Sequence, residues 1–277
     1  MAQPEPQPAP DLTQRPLFAE VLSRDRLLVA ACLIVLAILA WWWLAQGGTT
    51  ADRAMAAMPG MAGMAMPEPG PTTVWSLAYL GSAFAMWAVM MVAMMLPSAA
   101  PMILLHELLS RRNGIGPGAT WAFTASYLAL WTVFAAFAAL AQAGLVSSNL
   151  VGRTTLAVSH RETTAILLLA AAAWQISPLK RYCLTQCQTP FRFLIRHWRP
   201  GVRGAVGMGL RHGLYCIGCC WAVMVLLFAG GVMNLAWIAA LAALVVVEKY
   251  APADGHVDRV IAALLFLAAA LIWRLGA

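Results

Sequence analysis

WSLAYLGSAFAMWAVMMVAMML, residues 75–96, decides the fold. No Asp, Glu, Lys or Arg interrupts its 22 residues. A bilayer core of about 30 Å is crossed by about 20 apolar residues in a helix. Six more apolar runs follow the same reading: 27–45, 120–143, 163–177, 215–231, 233–248 and 258–275. The fourth and sixth of the seven are the shortest. Expected, therefore, is an all-α, polytopic transmembrane bundle of about seven spans.

Composition agrees. The 277 residues are 62% hydrophobic and 10% charged, with a mean hydropathy of +0.75. A soluble domain carries about 25% charged residues, and a soluble enzyme this apolar could not cover its own surface. Organisation follows from the runs: a Pro-rich tail at 1–26, expected disordered and cytoplasmic; a first transmembrane helix at 27–45; a Met-rich outer loop at 46–73; and a six-span membrane domain at 74–277. The first run exceeds the roughly 7–15 residues of a signal-peptide core and reads as an anchor. Its Trp41, Trp42 and Trp43 suit a membrane interface.

Orientation follows from Lys and Arg, which favour the cytoplasmic face. With the N-terminus inside, fourteen fall inside and only Arg53, Arg153, Arg161 and Arg274 outside. The chain then belongs in a bacterial inner membrane. Its surplus charge of +7 faces lipid headgroups, not nucleic acid. On the inner side, Thr189-Pro190 opens a short helix ended by Pro200-Gly201. Phe191, Leu194, Ile195 and Trp198 form an apolar stripe beside Arg192, Arg196 and Arg199, the pattern of a helix lying on an anionic surface.

Three clusters carry chemistry. On the second span Met86, Met90 and Met94 form one row and Met91 and Met95 the next. Thioethers select Cu(I) over harder cations, although Met also fills apolar cores. Pro97 and Pro101 are expected to break this helix and free carbonyls beside the site. His106 follows as a possible imidazole ligand, next to Glu107. On the fifth span Cys216, Cys219 and Cys220 share one face at i, i+3, i+4, near the expected inner end. In the inner segment Cys183 and Cys187 lie four apart, and Lys180 and Arg181 are expected to favour their thiolates. Cys32 stands alone and reads as packing, and Glu248-Lys249 as an interfacial charge pair. The outer loop holds Met55, Met58, Met61, Met64 and Met66, a pattern for weak Cu(I) capture.

MMVAMMLPSAAPM (90–102), SPLKRYCLTQCQTP (177–190) and GLYCIGCCWAVMVLLFAGGVMNLAWIAALAALVVVEK (213–249) together resemble the bacterial family of predicted metal-binding integral membrane proteins, long catalogued as a domain of unknown function. The likeness covers roughly residues 75–275. It implies a polytopic inner-membrane protein with a metal site and does not supply an activity.

The expected function is therefore binding of a soft transition metal, Cu(I), for transport or for delivery to a partner protein that gives or receives copper. The proposed ligands are Met90, Met91, Met94, Met95, Cys216, Cys219 and Cys220, with Cys183 and Cys187 as an exchange pair and His106 beside them. No GxxxxGK[ST] motif is present, so no nucleotide cofactor is expected. The alternatives are a membrane thiol-disulfide oxidoreductase and a scaffold subunit whose sulfurs only pack. Cytoplasmic thiols stay reduced, which argues against the first and favours binding over catalysis.

Overall fold

The computed structural model describes residues 24–56, 74–153, 155–252 and 254–274. Ten helices lie in them: α1 Arg24–Ala56, α2 Leu77–Arg112, α3 Gly118–Ser147, α4 Arg161–Gln175, α5 Pro178–Gln188, α6 Pro190–His197, α7 Gly201–Val225, α8 Leu227–Gly230, α9 Leu235–Tyr250 and α10 His256–Arg274. The described residues contain no β-strand, only an isolated bridge between Val151 and Val158.

The fold is thus an all-helical bundle, and five stretches are long and apolar enough to cross a membrane: Leu27–Gln46, Leu77–Arg112, Gly118–Ser147, Gly201–Gly230 and His256–Arg274. The α4 and α9 helices, at 15 and 16 residues, fall short of that length. Much of the outer surface is apolar. Ile38 on α1, Phe137 on α3 and Leu267 on α10 are each more than 60% exposed, as side chains facing lipid would be.

Several boundaries differ from the sequence reading. The first helix does not stop at Ala45 but continues to Ala56, into the segment expected to be a loop. Met58, Met61, Met64 and Met66, with the 1–23 part of the tail, lie outside the described residues, as does the Met55 side chain.

Pro97 and Pro101 do not break the second helix, which runs unbroken through both. Proline has no N–H to give the carbonyl four residues back. Trp41 Nε1 takes that place at Ala93, donating to its oxygen at 3.1 Å. The helix survives because its neighbour α1 supplies a donor that the local sequence lacks.

The α7 helix begins fourteen residues before the apolar run that was read as its start. Glycine makes this possible. A Cβ on Gly209 would lie 2.3 Å from the Phe123 oxygen and 2.2 Å from Ser126 Oγ, so α7 presses directly onto the α3 backbone. Close approach through small residues is a usual way for helices to pack in a membrane. Arg203 and Arg211, in the part of α7 that precedes the apolar run, are exposed.

Tight seams join α3 with α7, α2 with α3, α4 with α10, α1 with α2, and α5 with α7. Along the α2–α3 seam polar pairs mark both ends. Trp87 Nε1 donates to Gln142 Oε1 at 2.8 Å, and Gln142 Nε2 to the Tyr79 hydroxyl at 3.0 Å. At the other end the His106 ring nitrogen Nδ1 pairs with Thr120 Oγ1 at 3.0 Å.

Between α8 and α9 the chain turns at Gly230-Gly231. Gly231 has φ of +89°, and a Cβ there would lie 2.8 Å from the Thr155 oxygen. Residues 155–158 rest on this turn, with Val158 N donating to the Phe228 oxygen at 2.9 Å.

The short α6 helix forms where expected. It anchors through Phe193 and Leu194, both buried, while Phe191 and Ile195 stay exposed beside Arg192 and Arg196. Phe193, which the apolar stripe omitted, is its innermost side chain.

Candidate metal site

In the second half of α7, Cys216, Cys219 and Cys220 are all at most 1% exposed. Helical spacing puts them on one face, and their thiols turn back onto their own helix. Cys219 Sγ donates to the Cys216 oxygen at 3.1 Å and Cys220 Sγ to the same oxygen at 2.8 Å. The sequence placed these thiols near the end of a span. Because the apolar stretch runs Gly201–Gly230, they sit just past its middle.

Three other helices bring groups to this face. From α2, Met95 Sδ lies 3.9 Å from Cys220 Sγ. From α3, the Tyr127 hydroxyl lies 3.2 Å from both Cys216 Sγ and the Met95 oxygen. From α9, Lys249 Nζ donates to Cys216 Sγ at 3.0 Å and to Ser98 Oγ at 2.7 Å. Lys249 is 6% exposed, so its ammonium is held inside the bundle.

A fourth helix, α5, supplies the second cysteine pair. Cys187 comes close enough to Cys216 and Cys219 for their thiols to interact. Cys183 packs on Gly218, where a Cβ would come 2.7 Å from its sulfur. Glycine at 218 is thus what lets α5 lay a thiol against α7. Five of the six cysteines gather here as free thiols. Cys32 lies apart and exposed on α1.

Lys180 and Arg181 do not promote the Cys183 thiolate. Lys180 is fully buried and turns to two carboxylates, Asp258 at 2.6 Å and Glu248 at 3.0 Å. Burial, followed by the neighbouring Cys219, pushes the Cys183 thiol up from its ordinary value. The neighbouring Cys216 and Cys219 thiols, and burial after them, make Cys187 hold its proton more tightly too. Nor do Glu248 and Lys249 pair with each other. Successive residues on a helix point about 100° apart, and Glu248 faces Lys180 and Gln175 while Lys249 faces the thiols.

Met90, Met91 and Met94 are buried on α2 with Met95. Met86 is only half-buried and borders a cavity at the Tyr79–Gln142 end. His106 is placed elsewhere: it stacks on Phe123 with ring centres 4.8 Å apart and lies 5.7 Å from Trp198. Its hydrogen bonds go to Thr120 and Ser110. Beside it Glu107, fully buried, pairs with Arg111 at 2.8 Å.

Among the described residues no three His, Cys, Asp or Glu side chains stand in the arrangement that holds a metal ion. The hydrogen bonds give the reason: Cys219 and Cys220 are turned to a carbonyl, and an ammonium stands against Cys216. Soft sulfur is concentrated here without standing as a ligand set.

Sequence reasoning missed three members of this site. Tyr127 lies in an apolar run and Ser98 just past the end of one, with no signal to distinguish either. Lys249 was visible only as a charge at a span end.

This all-helical bundle thus gathers five free thiols, four of them buried, beside the Met95 thioether. The chain belongs to the PpoB2 family of copper chaperones, whose model matches residues 84–272. No curated protein and no solved structure matches the chain.

Proposed function

We propose that the protein binds Cu(I) inside a bacterial inner membrane and passes it across the membrane or to a partner protein. The carrying observation is the meeting of Cys187, Cys216, Cys219 and Cys220 with Met95, in a chain of a copper-chaperone family. Thiolates and thioethers select Cu(I). The ligands come from Cys216, Cys219 and Cys220 with Met95. Met90, Met91 and Met94 extend the thioether row, and Cys183 and Cys187 exchange the metal.

Chemistry supports the reading in two ways. Rotating Cys219 and Cys220 about χ1 turns their sulfurs from the Cys216 carbonyl toward a shared ion. Two thiolates on Cu(I) then carry one net negative charge. A buried charge of that kind is costly unless paired, and the Lys249 ammonium already stands 3.0 Å from Cys216. Seven spans with the N-terminus inside remain the orientation that the charge count favours.

Metal analysis of the purified full-length protein tests the function. Expected is tight Cu(I) binding that the Cys216, Cys219 and Cys220 to Ser variant loses while it still inserts in the membrane. Met95→Leu should weaken binding less, since a thioether is neutral. Copper binding unchanged by the triple substitution overturns the reading. Thiol titration with and without reductant separates it from disulfide chemistry, in which the cysteines would cycle between free and bonded.

A further inference from the structure

His212 stands one helical turn before Cys216, and neither of its ring nitrogens has a hydrogen-bond partner although the side chain is 2% exposed. Its ring is held by aromatic faces, stacked 5.4 Å from Tyr127 and 6.1 Å from Phe123, and edge-on to Phe193 at 5.6 Å. Buried imidazole nitrogens almost always find partners, and one left without them needs an explanation. Packing alone would be served as well by Phe or Leu.

A cavity of about 170 Å³ supplies that explanation. His212, Met102, Cys187, Ser98, Lys249 and Gln188 line it. It lies on the side of the thiol cluster where α9 ends and α6 begins. Two of its lining residues are also part of the thiol cluster: Cys187 interacts with Cys216 and Cys219, and Lys249 donates to Cys216. The cavity therefore touches the cluster through one thiol and one ammonium.

We infer that this cavity is a second Cu(I) site, an entry or exit station formed by the His212 imidazole, the Met102 thioether and the Cys187 thiolate. One nitrogen and two sulfurs are a donor set that suits Cu(I). The ion keeps its oxidation state throughout. The Cys187 thiol releases its proton to solvent as the Cu–S bond forms. In transfer, the His212 and Met102 bonds break as bonds to Cys216 and Cys219 form, with Cys187 common to both sets; the Cys219 thiol proton, and that of Cys216 where it is protonated, pass through the cavity to solvent. The Lys249 ammonium stands between the two stations and must swing aside for the ion to move. The inference rests on the proposed copper reading and adds to it a route and a nitrogen ligand.

The test uses the full-length protein in detergent under reducing conditions, loaded with Cu(I) against a colorimetric Cu(I) chelator. Wild type should bind one tight and one weaker Cu(I). His212→Leu and Met102→Leu should each weaken the second by about tenfold or more, slow filling of the first, and leave the tight affinity in place. X-ray absorption of wild type should show only sulfur at one equivalent and added nitrogen at two. All-sulfur coordination at two equivalents overturns the station without recourse to any variant. Wild-type stoichiometry and loading rate in either variant overturns it too. The triple Cys216, Cys219 and Cys220 to Ser protein separates the two claims. If it keeps tight binding, the function reading fails. If it loses tight binding while His212→Leu behaves as wild type, the station alone fails.

Discussion

The Lys249 ammonium donates to the Cys216 sulfur at 3.0 Å, joining the last turn of α9 to the second half of α7. The same nitrogen reaches Ser98 on α2 at 2.7 Å. One cation thus connects three helices at the point where soft sulfur is densest. Its charge decides how the site treats copper. An ammonium beside a thiolate can stabilise a two-thiolate Cu(I) site as its counter-ion, or compete with copper for the sulfur.

The counter-ion role is the one expected. Lys249→Met keeps the length and removes the charge. A hydrogen bond to a charged group contributes about 1.5–3 kcal/mol, so Cu(I) affinity should fall about 10- to 100-fold. Lys249→Arg should recover part of it. Chelator competition measures this directly. Tighter copper binding in Lys249→Met would show that the lysine competes instead.

The Lys180 ion pairs hold the bundle together away from copper. Lys180 on α5 bridges Glu248 on α9 and Asp258 on α10, and Gln175 on α4 also donates to Glu248. Removing one partner of a buried ion pair costs about 3–5 kcal/mol. Lys180→Met leaves two carboxylates facing each other and should destabilise the protein by about that amount. Thermal unfolding in detergent should show a clear drop, and copper stoichiometry in the folded fraction should be unchanged. An unaltered melting temperature would remove this network from the account of stability.

Topology is tested by reporter fusions. Lys180 and Lys249 are buried in the bundle, so they carry little weight in a rule about loops. Twelve of the fourteen inner basic residues still oppose four outer ones. Reporters at residues 60 and 200 should fall on opposite faces. Finding both on one face would overturn the arrangement.

Much of the fold could be read from apolar runs, since length and absence of charge are local properties. What was misread depended on partners distant in sequence. Pro97 reads as a helix breaker until Trp41, 52 residues from Ala93, supplies the missing donor. Residues 201–214 read as lying outside the fifth span, yet Gly209 fits this part of α7 against Phe123. At the site, Cys216, Cys219 and Cys220 stood out because three thiols on one turn are rare. His212 and Lys249 did not, because their meaning lies in the cavity and the thiols they face. His106 drew attention by following the Met cluster, yet it faces Thr120.

The α6 helix carries the last prediction. Phe193 and Leu194 tie it to the protein, while Phe191 and Ile195, 59% and 61% exposed, share the outer side with Arg192, Arg196 and Arg199. Exposed aromatic and aliphatic side chains between arginines suit the headgroup boundary of an anionic leaflet. Each basic residue near such a surface contributes about 1 kcal/mol. A peptide of residues 189–200, whose single tryptophan is Trp198, should bind anionic vesicles with a blue-shifted emission. Changing all three arginines to Glu removes three attractive charges and adds three repulsive ones, so binding should vanish. Neutral vesicles should bind the parent peptide weakly. If the Glu variant still binds anionic vesicles, α6 serves only to pack on the protein. If binding is lost as expected, this helix holds the chain beside Cys187 at the lipid surface.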